Sequence, residues 1–146
     1  MYKSVLIPVD GSDVSNHAVD EGLKLASQLG SRVTVLHVID IALFTIPDAE
    51  SGVTNFEVIQ QGLTNQGKRL LEEIGARAKA AGVEAETVMA EGDVHDEITK
   101  AAVDKKADLI IMGTHGRRGI NRLILGSVAE SVARRAHCAV LLIRPE

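Results

Sequence analysis

Aromatic residues are nearly absent from this chain of 146 residues: Tyr2, Phe44 and Phe56 are all of them, and there is no tryptophan. Proteins that read single-stranded nucleic acid stack bases on aromatic rings, so that class is excluded and the core must be aliphatic. The one cysteine, Cys138, lies in an apolar run. It leaves no intrachain disulfide and no zinc-finger spacing, and it reads as a small buried hydrophobe in an intracellular, cytoplasmic protein. Long hydrophobic runs are missing too. No stretch approaches the ~18 apolar residues of a membrane span, and Pro8 and Asp10 fall where a signal peptide would need an unbroken apolar segment. The expectation is a protein without membrane insertion.

What is present is an ordinary globular composition, 45% apolar and 25% charged, on a length that fits one domain over 1–146. The net charge of -4 is unevenly spread. Beyond residue 112 the chain carries Arg117, Arg118, Arg122, Arg134, Arg135 and Arg144 against Glu130 and Glu146, while the rest is acidic. A basic end can attract a compact polyanion, and it can equally be a solvated helix face. Duplex DNA does not fit so acidic a remainder.

Apolar periodicity orders the elements. Ser4 to Val9, Val33 to Ile39, Val83 to Ala90, Leu109 to Met112 and Cys138 to Ile143 read as strands, the third with polar alternation that suggests a sheet edge. Between them, Val14 to Leu29, Phe56 to Ala81, a segment capped by Asp93, and Ser127 to Ala136 read as helices. Ser12 or Asp13 can cap the first, and Gly30 and Gly82 suit left-handed stops. Gly62 and Gly67 should weaken the second helix. After Asp40, residues 41 to about 54, including Phe44, Ile46 and Pro47, read as an irregular connection, a lid or a partner surface. Uniformly apolar strands joined through helices give an α/β fold: an open five-stranded parallel sheet with helices on both faces.

The chemistry concentrates in GTHGRRGINRLILGS, where Gly113, Gly116, Gly119 and Gly126 follow the fourth strand. Clustered glycines permit positive φ and close approach of a ligand to main-chain N–H groups. Gly126 and Ser127 then open a helix whose first N–H groups lack partners, so a phosphate fits there. Ser127 and Glu130 also match a capping box, a purely structural account. We read a divided role: N–H groups bind the anion, and Arg117, Arg118 or Arg122 supply charge. No Walker motif, G-x-G-x-x-G or lysine occurs in this region. Ligands of open parallel sheets settle beyond the strand ends where the strand order reverses. With the order 3-2-1-4-5, Asp10 would face Gly113, with Val38 alongside, and a nucleotide would fill the cleft. His115 lies inside the glycine segment, where it would touch phosphate or face water. For His17, His37, His95 and His137, with no ligand company in the sequence, structural roles are expected and no metal site.

Gly113, Gly116, Gly126 and Ser127, in the spacing G2xG9xG followed by Ser, together with Pro8-Val9-Asp10 and HVID, resemble the ATP-binding branch of the universal stress proteins. The resemblance spans the chain. It implies the 3-2-1-4-5 Rossmann-like sheet, of the adenine nucleotide alpha hydrolase-like type, and ATP with or without Mg²⁺. Adenine would lie near Pro8, Val9, Asp10 and Val38. Ribose and phosphates would follow Met112, Gly113, His115, Gly116, Arg117, Gly126, Ser127 and Val128. It also implies a homodimer through Ala139 to Ile143, where Ala139 departs from a proline common in the family. That edge lacks the charges and prolines that normally protect one, which gives pairing a physical motive.

The function expected is a nucleotide-sensing regulator of a stress response, open to a regulatory protein partner, with at most slow hydrolysis and no catalytic residue. The chain shows no lysine, general base or second carboxylate arranged for efficient phosphoryl transfer. Two alternatives stand beside it. One is an adenine-nucleotide hydrolase or transferase. The other is a phosphorylatable receiver, which would want an aspartate at the end of the central strand and a lysine after the fifth, whereas the strand endings here offer Glu91 after the third and Arg144 after the fifth.

Overall fold

The computed structural model describes residues 1–45, 56–116 and 124–146. Strands β1 (Ser4–Pro8), β2 (Arg32–Asp40), β3 (Ala85–Gly92), β4 (Leu109–Gly113) and β5 (Ala139–Ile143) alternate with helices α1 (Asp13–Leu29), α2 (Phe56–Ala80), α3 (Val94–Asp104) and α4 (Ser127–Arg135). The sheet order is β3-β2-β1-β4-β5, and every pairing is parallel. The polar alternation of the third strand does mark an edge. β1 and β4 are buried along their whole length, as helices on both faces require.

Two aliphatic cores result, one per face. Alternate residues of β1 divide between them: Val5 and Ile7 join Val19, Leu23, Leu71 and Ile74 of α1 and α2, while Leu6 joins Ile98, Ala102, Ala129 and Val132 of α3 and α4. Each fully buried aliphatic side chain contributes about 1.5–3 kcal/mol. Two core contacts demand glycine. A Cβ at Gly22 would stand 2.7 Å from Ile7 Cδ1, and one at Gly67 would stand 2.7 Å from His37 Cδ2. Gly67 is therefore a point of close packing on β2, not the weakness its sequence suggests, and α2 runs unbroken through it.

The caps follow the sequence in three helices of four. Ser12 accepts from the Ser15 amide, Asp93 accepts from the Asp96 amide, and Gly30 and Gly82, after α1 and α2, are left-handed. The fourth helix corrects the expectation. Its N-cap is Gly126, so Ser127 is already the first helical residue and the Ser127–Glu130 capping box does not form. Glu130 instead pairs with Arg134 at 3.0 Å on the exposed face. The connection after β2 is also more regular than expected: Ile41–Thr45 is a short 3₁₀ helix. It buries Phe44 edge-on against Phe56, with ring centroids 4.8 Å apart. Ile46 and Pro47 lie outside the described residues.

Candidate functional site

The carboxyl ends of β1 and β4 adjoin at the point where the strand order reverses. Beyond Pro8, the Val9 amide donates to the Leu36 carbonyl (2.8 Å), and the Val9 carbonyl accepts from His37 Nδ1 (2.9 Å). Gly11 then turns the chain at φ 82°. The Asp10 amide donates to Ser15 Oγ (3.1 Å), and Asp10 Oδ1 accepts from the Ser12 amide (2.9 Å). The turn so fixed aims the other carboxylate oxygen across the crevice, where a Cβ on Gly116 would lie 2.7 Å from Asp10 Oδ2. Asp10 and the glycine segment thus share one end of the sheet.

The opposite wall is built by close approach of backbone. None of Gly113, Gly116 and Gly126 takes a positive φ. A Cβ at Gly113 would meet Val14 Cγ1 at 2.4 Å, and one at Gly126 would meet the Thr114 carbonyl oxygen at 2.9 Å. Two of these glycines therefore serve the protein's own packing. Gly116, exposed, is the one whose missing side chain leaves space beside Asp10. The Gly126 amide donates to the Thr114 carbonyl (2.8 Å), and the Thr114 amide to the Ile143 carbonyl (3.0 Å), tying the start of α4 to the ends of β4 and β5.

His115 neither meets solvent nor stands available to a phosphate. Its ring is buried, with Nδ1 bonded to Thr114 Oγ1 (2.8 Å) and Nε2 to the Ile124 carbonyl. A carbonyl only accepts, so Nε2 carries a proton and, in the neutral ring, Nδ1 accepts from the threonine hydroxyl. His115 pins the two described ends of the glycine-rich segment together.

At the start of α4, the Ser127, Val128 and Ala129 amides have no acceptor among the described residues; the first intrahelical bond runs from Glu130 to Gly126 (2.9 Å). Ser127 is exposed, and Val128 is half-buried against the α3–α4 core. Donors and a positive dipole end are thereby left at the crevice. Pro8, Val9 and Met112 are buried in its floor, and Val38 lies two residues past the Leu36–Pro8 pairing. Arg117, Arg118 and Arg122 lie outside the described residues.

Four contributors escaped sequence reasoning: Ser15, Val14, Thr114 and the His37 ring bond that fixes Val9. The serine five positions after Asp10 was the only available hint. The expectation that no histidine has ligand company is corrected at His95. Its Nδ1 lies 2.8 Å from Asp93 and its Nε2 3.3 Å from Asp96, with the Arg135 guanidinium 3.8 Å from Asp96. Of the C-terminal arginines, Arg134 and Arg135 belong to such surface ion pairs. No helix among the described residues is long and apolar enough to cross a membrane.

An open parallel sheet with a polar crevice at its switch point defines a class of α/β proteins that bind small ligands there. The chain belongs to the universal stress protein family, which matches residues 1–144. Universal stress protein MJ0531 of Methanocaldococcus jannaschii is 40% identical over 144 residues, covering 99% of this chain and 83% of the relative. The solved structure of MJ0577 has a TM-score of 0.87 at 29% identity, covering 100% of this chain and 98% of that one. A universal stress protein solved in complex with cAMP has a TM-score of 0.75 at 28% identity, covering 99% of each chain.

Proposed function

We propose that the chain is an ATP-binding regulatory member of the family, a sensor that works by occupancy. The observation that carries this reading is the set of amides at Ser127, Val128 and Ala129 with no acceptor among the described residues, on the same sheet end as the Asp10–Gly116 pair. Amide donors and the helix dipole suit phosphates, with or without Mg²⁺; the Asp10 carboxylate suits ribose hydroxyls; the aliphatic residues around Val38 suit the base. The relative bound to cAMP supports an adenine nucleotide as the ligand class. His115, the one imidazole in the segment, is spent on internal bonds, which favours binding over hydrolysis. A homodimer through β5 completes the reading: Leu141 is 40% exposed on an edge strand with no charged residue.

The test is calorimetric titration of ATP into Ser127→Pro and Ser127→Ala variants. Proline is tolerated at the first helical position, and Gly126 at φ -62°, ψ 151° already has the backbone that a following proline requires. Ser127→Pro removes an amide that no described residue accepts. A bond to a charged phosphate is worth about 1.5–3 kcal/mol, so affinity should fall roughly 10- to 100-fold. Ser127→Ala removes only the hydroxyl and should change less. Equal ATP affinity in Ser127→Pro and wild type would refute the proposal.

A further inference from the structure

Helices α1, α2 and α3 all end at the pole where the strands begin, and they end alike. After each, a left-handed residue is followed by an amide that reaches back five positions: Ser31 to the Ala26 carbonyl (3.0 Å), Val83 to Ala78 (2.9 Å) and Ala107 to Ala102 (2.9 Å). The left-handed residue is Gly30 (φ 66°) in the first and Gly82 (φ 71°) in the second. Glycine is the unstrained choice there. In the third it is Lys106, at φ 53°. A cation near a helix C-terminus gains from the dipole, but Lys105, the cap itself, already places one there. A strained residue that the local fold does not ask for points to a role outside the fold.

Lys106 lines a cavity of about 420 Å³ together with Lys3 and Arg32. None of these three cations makes an ion pair within 4 Å among the described residues, and Arg32 acts on the Glu86 carboxylate only at longer range. Of the two carboxylates on the wall, Asp108 is turned into the backbone, accepting the Lys3 amide (3.0 Å) and the Ser4 amide (3.1 Å). Glu84 is the remaining one. We propose that this cavity is a second ligand site, for a small phosphate-bearing anion held by Lys3, Arg32 and Lys106, at the opposite end of the sheet from Asp10 and Gly116. Two mobile ammonium groups and one planar guanidinium suit a compact, multiply charged group. The site is independent of the nucleotide reading, since it shares no residue with it.

The test is an NMR titration of the ¹⁵N-labelled full chain with inorganic triphosphate at low salt, with melting of the unliganded variants alongside. Saturable shifts are expected at the amides of Lys3, Gly30, Arg32 and Lys106, weakening as salt rises. Lys106→Gly should lower the affinity about tenfold. Without triphosphate it should melt about 2–4 °C above wild type, because the strain is relieved. Glu84→Gln should tighten binding, since it removes the repelling carboxylate that no backbone amide engages, Asp108 being held by the Lys3 and Ser4 amides. Shifts confined to the Gly116 and Ser127 end would overturn the proposal, as would unchanged affinity in Lys106→Gly. So would a Lys106→Gly variant that melts below wild type, which would return the lysine to a role in the helix end.

Discussion

Gly126 tests whether glycines in the 113–126 segment are kept for backbone freedom or for contact. Its φ of -62° and ψ of 151° are open to any residue, so conformation gives no reason for glycine. Contact does. A Cβ would stand 2.9 Å from the Thr114 carbonyl oxygen and 3.3 Å from His115 Cα, so the two strands of the neck must part by about half an ångström. The Gly126–Thr114 bond, 2.8 Å, would stretch with them. Overpacking costs about 1–3 kcal/mol and the weakened bond about 1, offset by about 0.4–1 from the stiffer unfolded chain. Gly126→Ala should therefore destabilise by about 1–3 kcal/mol. Gly62→Ala is the control: exposed in the middle of α2, with nothing within 4 Å of a Cβ, it should stabilise by about 0.5–1 kcal/mol. Urea midpoints at constant m-value measure both. Opposite signs are expected; a Gly126→Ala variant as stable as wild type would refute the contact argument.

Asp108 links the start of β1 to pH. Desolvation of this exposed residue's carboxylate works to raise it, but the Lys3 and Ser4 amides outweigh that and hold it below its ordinary 3.8. A carboxyl depressed in the folded state adds stability above its unfolded value and loses it as pH falls through the folded one. Asp108→Asn should flatten the loss of stability below about pH 3.8, seen in urea midpoints taken down the acid limb; superimposable slopes for the two proteins would count against it. Cys138 should alkylate more slowly in the native protein than in urea at pH 8, because burial first and the Asp108 charge second push its thiol above 9.0. Equal rates would show that the native thiol is as reactive as an unfolded one.

Strand identity was legible because the apolar runs at Ser4–Pro8 and Leu109–Gly113 leave no polar face, and helix ends because Gly30, Gly82 and Asp93 suit only certain backbone positions. The internal logic of the crevice was not. Ser127 and Glu130 have the spacing of a capping box, yet tertiary contact between Gly126 and Thr114 moves the helix start one residue and dissolves it. Local pattern cannot register a partner twelve residues away. His115 shows the same limit: a histidine among glycines reads as a ligand contact, whereas its bonds to the Thr114 hydroxyl and the Ile124 carbonyl make it a clasp. Gly67 reads as a helix defect until β2 brings the His37 ring against it.

The bond from Gly126 back to Thr114 closes a loop of chain at one place, where the end of β4 meets the start of α4. Doubling the length of such a detour costs only about 0.6 kcal/mol in closure entropy. A lineage, or an engineer, can rewrite that stretch to suit a new small molecule while the scaffold beneath keeps its shape.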